Sequence, residues 1–181
     1  MMSKNEPTSP SYSAKLIIAP SKSSIGSVLS HPIIQSCKSA LHSRKSFTIA
    51  LSGGSLPSFL QALSKSFQEA GVDPQWDKWH VLLADERCVV STHADSNLSA
   101  IQSNFTDNVP IPKNQVYGID ETTLLSASTD AVAATYEERV LKPLLEKCGG
   151  MLDCVVLVCT DVLSSSNSSI VTTSFANSMK N

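Results

Sequence analysis

The sequence predicts one α/β domain built on a mostly parallel sheet with helices on both faces. Three observations carry this reading. Short, continuous apolar runs recur at Phe47–Leu51, in Trp79–Glu86 and at Met151–Val158, the pattern of strands covered on both faces. Segments with helical apolar spacing lie between them, and strands alternating with helices form parallel sheets. The length, 181 residues, is enough for a single domain with a substantial core.

The elements follow in order. Residues 1–13 are polar and read as a disordered arm ahead of a domain at 14–158. "AKLIIA" (Ala14–Ala19) is a strand candidate. Ile25–Lys45 has helical spacing, with Pro32 expected to start, kink or interrupt the helix. "FTIAL" (Phe47–Leu51) is a buried strand. Beyond a glycine turn, Leu60, Leu63 and Phe67 share one helical face, with Pro57 suited to the first turn and Gly71 to the stop. "WHVLLADE" (Trp79–Glu86) is a second buried strand ending in charge. Ser96–Phe105 is a short helix, and "QVYGI" (Gln115–Ile119) is a further strand candidate.

Ser128 or Thr129 can cap a longer helix carrying Val132, Tyr136, Val140 and Leu144 on one face, bent or ended by Pro143. Met151–Val158 is the last buried strand. Residues 159–181 are serine-rich without helical period and read as a solvated tail. No later amphipathic helix follows, so the edge and faces of the last strand are expected to be partly exposed. The sheet is therefore expected to be incomplete at its C-terminal side.

Net charge −2 and pI near 6.0 give no electrostatic basis for nucleic-acid binding, and no apolar run approaches a bilayer span. The N-terminal stretch has no apolar h-region, so the expected location is the cytoplasm. Cys37, Cys88, Cys148, Cys154 and Cys159 form no C-x-x-C pair and read as reduced thiols rather than a zinc or disulfide framework. No metal site is expected.

Two features carry chemistry. Ser52-Gly53-Gly54-Ser55 joins a buried strand to a helix start, where backbone N–H groups can approach an anion. A tight strand–helix turn also needs glycine for steric reasons alone. There is no Walker lysine and no third glycine, so nucleotide motifs fit badly. Asp85-Glu86-Arg87 ends the second buried strand, at the sheet edge where open α/β sheets bind ligands. Arg87 can clamp a phosphate, and Asp85 or Glu86 can act as a base or bind sugar hydroxyls. The competing reading is a surface ion cluster. His93 follows in "STHADSN" as a proton-carrier candidate or a solvated spectator. His80 lies within a strand and reads as core or helix-facing, and His31 and His42 have no acidic neighbours in sequence.

Taken together, "ALSGGSLPSFLQAL", "WHVLLADERCVVSTHADSNLSAIQSNF", "VYGID" and "AATYEERV" resemble 6-phosphogluconolactonase, a family grouped with glucosamine-6-phosphate isomerases. The resemblance runs from about Lys15 to Leu157. It implies a Rossmann-like fold, a sugar-phosphate ligand and hydrolysis of 6-phosphogluconolactone to 6-phosphogluconate in the pentose phosphate pathway, without metal or organic cofactor. It also implies that Ser52, Gly53, Gly54 and Ser55 cradle the phosphate, that Arg87 contacts it, and that Asp85 shapes the sugar site.

The resemblance lapses after "LDCVVLV". The family continues there with a glycine-rich turn containing Asp-Gly-His, whose histidine moves the proton. This chain runs into "CTDVLSSSNSS", with no glycine after Gly150 and no histidine after His93. Impaired turnover is therefore expected, with Asp85 and His93 the remaining catalytic candidates. The alternative is a non-catalytic truncated isoform that at most binds a sugar phosphate. A spliced or frame-shifted origin is a hypothesis that transcript sequencing tests: a normal frame with no longer sibling removes it.

Overall fold

The computed structural model describes residues 17–124, 128–160 and 169–174. β1 (Phe47–Leu51) is buried at every position and sits inside a four-stranded sheet of order β2-β1-β3-β4. β2 (Trp79–Leu83) runs parallel to it with Phe47 opposite Trp79 and Leu51 opposite Leu83. β3 (Cys154–Thr160) is parallel on the other side, with Ile49 opposite Cys154.

The pleat sorts the side chains into two layers. Phe47, Ile49, Leu51, Val81 and Leu83 join the larger core, which takes in residues of α1 (Ile25–Arg44), α2 (Leu56–Leu60), α3 (Leu63–Glu69) and α4 (Asn97–Asn104). Ala50 and Leu82 point to the other face, where they pack with Leu144 and Cys148. That face is covered by α5 (Thr129–Tyr136), a π turn at Glu137–Leu141 and α6 (Lys142–Lys147). The larger core holds Phe47 edge-on to Trp79 at a centroid distance of 4.5 Å, a favoured aromatic geometry.

Both prolines expected to break helices are accommodated. α1 passes through Pro32 because Leu29, Ile33, Ile34, Cys37, Ala40 and Leu41 bury one continuous face. Each large apolar side chain in that face contributes about 1.5–3 kcal/mol, so together they outweigh one helix proline at about 3 kcal/mol. Ahead of Pro143 the helix widens instead of ending, with the Lys142 N–H bonded to the Glu137 carbonyl five residues back. That extra residue in the turn relieves the clash a proline ring makes with a carbonyl in a regular α turn. The helix carrying Leu60, Leu63 and Phe67 is split at Gln61–Ala62, yet all three residues are buried together.

Three expectations are corrected. Ile17–Ala19 has no strand pairing, and Ile17 and Ile18 are exposed; Ala14–Leu16 lie outside the described residues. "QVYGI" supplies a single parallel bridge, Val116 to Val81, after a 3-10 turn at Lys113–Gln115. The serine-rich region is not wholly solvated, because Ser169–Ser174 forms β4, antiparallel along β3 from Val155–Ser174 to Thr160–Ser169. Its run Ile170, Val171, Thr172, Thr173 is β-branched throughout, which suits a strand, and it satisfies the N–H and C=O groups along β3. Residues 161–168 and 175–181 of that region lie outside the described residues. Leu157 of β3 remains 38% exposed, so a face of the strand is open even though its edge is paired.

Candidate functional site

Since Leu51 and Leu83 are in register, β1 and β2 release the chain at the same sheet edge. The Ala84 N–H still bonds the Leu51 carbonyl at 2.8 Å, so the two exits start side by side. This brings Ser52–Ser55 and Asp85–Arg87 together, as the Gly53 N–H shows by donating to Asp85 Oδ1 at 3.3 Å.

The four turn residues do different work. Ser52 is buried and extends the β1–β3 ladder: its N–H donates to the Val156 carbonyl at 3.0 Å, and its Oγ accepts the Val158 N–H at 2.9 Å. Gly53 has to lack a side chain, because a Cβ there would stand 1.7 Å from Asn97 Oδ1. Gly54 is exposed and left-handed at φ +65°, a conformation that costs glycine little. Ser55 precedes α2, and its Oγ is buried without a hydrogen-bond partner. Among the described residues, the Gly54 and Ser55 N–H groups also find no acceptor. The turn therefore keeps unspent donors at its exposed end.

The charged triplet separates into three roles. The Glu86 carboxylate accepts the Asn97 and Arg87 N–H groups at 2.7 and 2.8 Å on Oε1. Its Oε2 accepts the Leu98 N–H at 2.9 Å and the Ser96 hydroxyl at 3.2 Å. With four donors on it, Glu86 anchors the start of α4 and is not placed as a base. Ser96 completes that start by accepting the Ser99 N–H at 3.2 Å. Asp85 is exposed and holds the Gly53 N–H and the Asn97 amide. Arg87 is exposed, and among the described residues its guanidinium has no carboxylate partner or hydrogen bond.

His93 lies in the exposed loop between β2 and α4, with Nδ1 accepting the Asp95 N–H at 3.1 Å. A neutral ring bonded this way carries its proton on Nε2 and offers a donor there rather than a base. His80 is turned toward the α6 side, with Nδ1 at 2.9 Å from the Tyr117 hydroxyl. Burial lowers its pKa, and the nearby Lys147 charge lowers it further. Beneath the site, the Tyr136 hydroxyl accepts the Leu83 N–H at 3.1 Å. Burial pushes its phenol up to about 12, so it stays neutral across the physiological range.

Sequence reasoning missed Asn97. The available signal was a polar residue directly after a helix-capping serine and close behind a charged strand end. Its burial against Gly53 depends on where α4 crosses the turn, which local sequence does not specify.

The family model described as glucosamine-6-phosphate isomerases/6-phosphogluconolactonase matches residues 20–159. The chain belongs to this family. A rice (Oryza sativa subsp. indica) relative named probable 6-phosphogluconolactonase 3, chloroplastic, is 42% identical over 98 residues, covering 54% of this chain and 28% of the relative. An Arabidopsis thaliana relative named probable 6-phosphogluconolactonase 4 is 33% identical over 135 residues, covering 74% of this chain and 50% of its own length. The chain thus spans half the length, or less, of these curated relatives. The crystal structure of 6-phosphogluconolactonase from Thermotoga maritima superposes with a TM-score of 0.53 at 20% identity, over 66% of this chain and 51% of that one, and shows the shared fold.

Proposed function

We propose that the chain takes part in hydrolysing 6-phosphogluconolactone to 6-phosphogluconate, the reaction of the oxidative pentose phosphate pathway, and that it does so slowly. The observation that carries this is that the Gly54 and Ser55 donors and the Arg87 guanidinium, none with a hydrogen-bond partner among the described residues, follow strand ends released at one sheet edge. Backbone N–H groups and a guanidinium are the donors a phosphate dianion selects. The names of the rice and Arabidopsis relatives support the lactone as the substrate.

Slow turnover follows from the proton inventory. Opening the ring needs a water deprotonated near the carbonyl and a proton delivered to the leaving oxygen. Asp85 already accepts two hydrogen bonds, Glu86 accepts four, and His93 presents a donor. Residues 159–181 hold no histidine, and Asp161, the carboxylate nearest the end of β3, lies outside the described residues. Loss of a general acid/base costs roughly 10²–10⁴-fold, so turnover at least about a hundredfold below an intact relative is expected. The same inventory favours the second reading, a protein that only binds the sugar phosphate.

Calorimetry with 6-phosphogluconate on the parent and on Arg87→Ala tests the site. A loss of more than about 1 kcal/mol is expected for one charge-assisted contact. Equal affinities make Arg87 a surface residue and remove the reading. A lactonase assay corrected for spontaneous opening then separates slow catalysis from binding alone: His93→Ala lowers a residual rate in which the ring N–H of His93 supplies the proton to the leaving oxygen. A cytoplasmic location is part of this proposal; the rice relative's name makes the chloroplast the alternative, which cell fractionation decides.

A further inference from the structure

Asn97 is buried, 5% exposed, at the start of α4, yet none of its side chain is spent on its own helix. Its Nδ2 donates twice to one residue, to the Asp85 carbonyl at 3.0 Å and to Asp85 Oδ2 at 2.9 Å. Its Oδ1 lies over Gly53, occupying the volume any Cβ there would need. The other Asp85 oxygen holds the Gly53 N–H. The backbone of Asn97 is fixed in turn by Glu86. The glycine turn and the charged strand end are therefore bridged through one amide side chain.

We infer that Asn97 is a positioning residue: it locks the Asp85 carboxylate onto the Gly53 N–H and so sets the shape and charge of the anion site at Gly54, Ser55 and Arg87. This inference rests on the proposed sugar-phosphate reading for its ligand, while the clamp itself does not. Removing the amide frees Asp85 to swing its charge toward the site. Replacing the amide by a carboxylate does more, because two carboxylates at hydrogen-bond distance compete for one proton. Asn97→Asp is nearly isosteric and leaves the backbone bonds to Glu86 in place. Asn97→Ala removes the donors without adding charge.

The test uses the full chain labelled with [15N]glycine, seven residues in all, and follows the Gly53 amide shift against pH. In Asn97→Asp the carboxyl inflection seen by Gly53 is expected at least about one pH unit above the parent's, as for a carboxyl pair sharing a proton. Affinity for 6-phosphogluconate, measured as the ratio of variant to parent at each pH, is expected to fall about tenfold at about pH 8, because the added carboxylate charge repels the phosphate, and to recover as pH drops through that inflection. Asn97→Ala is expected to bind more weakly at about pH 8 too, with the ratio recovering through a carboxyl inflection lower than that of Asn97→Asp, because only the freed Asp85 then carries the penalty. An unmoved Gly53 inflection in Asn97→Asp overturns the clamp. A moved inflection with unchanged affinity overturns the link from the clamp to the site. A moved inflection in a chain whose parent binds no 6-phosphogluconate supports the clamp and removes the proposed ligand instead.

Discussion

Glu86 accepts the Asn97 N–H at 2.7 Å, so the carboxylate that closes β2 also opens α4. A charged acceptor on several N–H donors is worth more than a neutral one, about 1.5–3 kcal/mol in mutational series. Glu86→Gln turns an NH₂ toward those donors and is expected to destabilise the fold by that amount. Urea denaturation of parent and variant reads it. An unchanged midpoint would mean that the loop holds itself and that the carboxylate is free for chemistry.

At the opposite end of the sheet, Asp153 is buried and pairs with Arg44 while accepting the Thr48 N–H and hydroxyl, each at 2.9 Å. Its own N–H donates to the Thr48 hydroxyl at 3.0 Å, and its carbonyl accepts from Ser36 at 2.7 Å. This cluster joins the start of β3 to β1 and to α1. Asp153→Ala leaves the Arg44 charge and the Thr48 donors unpaired, and a loss of about 3–5 kcal/mol is expected. Whatever fraction remains folded should bind 6-phosphogluconate with parental affinity, because the cluster lies at the opposite end of the strands from the proposed ligand site. Weaker binding per folded molecule in calorimetry would count against that separation.

The three parallel strands were legible in the sequence because Phe47–Leu51, Trp79–Glu86 and Met151–Val158 hold short, mostly apolar runs, the first two giving way to Ser52-Gly53-Gly54 and to Asp85-Glu86-Arg87. The glycine turn was legible for the same reason. What was not legible depended on partners distant in the chain. Pro32 lies within a helix because its neighbours bury a face against α2 and α3, contacts that sequence spacing does not weigh against a proline. Ile17–Ala19 ends a stretch with apolar, strand-like composition, but local sequence names no partner strand, and these described residues pair with none. Ser169–Ser174 reads as tail by its serines and as strand by its β-branched centre, and the open edge of β3 decided between them. Glu86 and Asp85 look equivalent in sequence; only the crossing of α4 saturates one and turns the other toward Gly53.

Buried acids predict an alkaline limit to stability. Burial pushes the Cys37 and Cys154 thiols from 9.0 up to about 12, and the Tyr136 phenol from 10.0 up to about 12. The folded state therefore holds protons that the unfolded chain releases first. The associated stability is fully present below about pH 9 and is lost as pH rises from 9 toward 12. Summed over the three groups by linkage, the loss between about pH 8 and about pH 11 is on the order of 5 kcal/mol. Cys37→Ala should flatten part of that slope. Urea midpoints taken across the range check it, and a flat profile would show that these groups are not buried in solution.

A sugar phosphate is proposed to sit at the exposed end of the Ser52–Ser55 turn. The most direct measurement is the response of the Gly54 and Ser55 amides to 6-phosphogluconate, with gluconate as the control that lacks only the phosphate. Saturable shifts at Gly54 and Ser55 with 6-phosphogluconate, absent with gluconate and lost in Arg87→Ala, are the predicted result. Equal shifts from both compounds, or no shift at either amide while the ligand perturbs residues elsewhere, would contradict the claim.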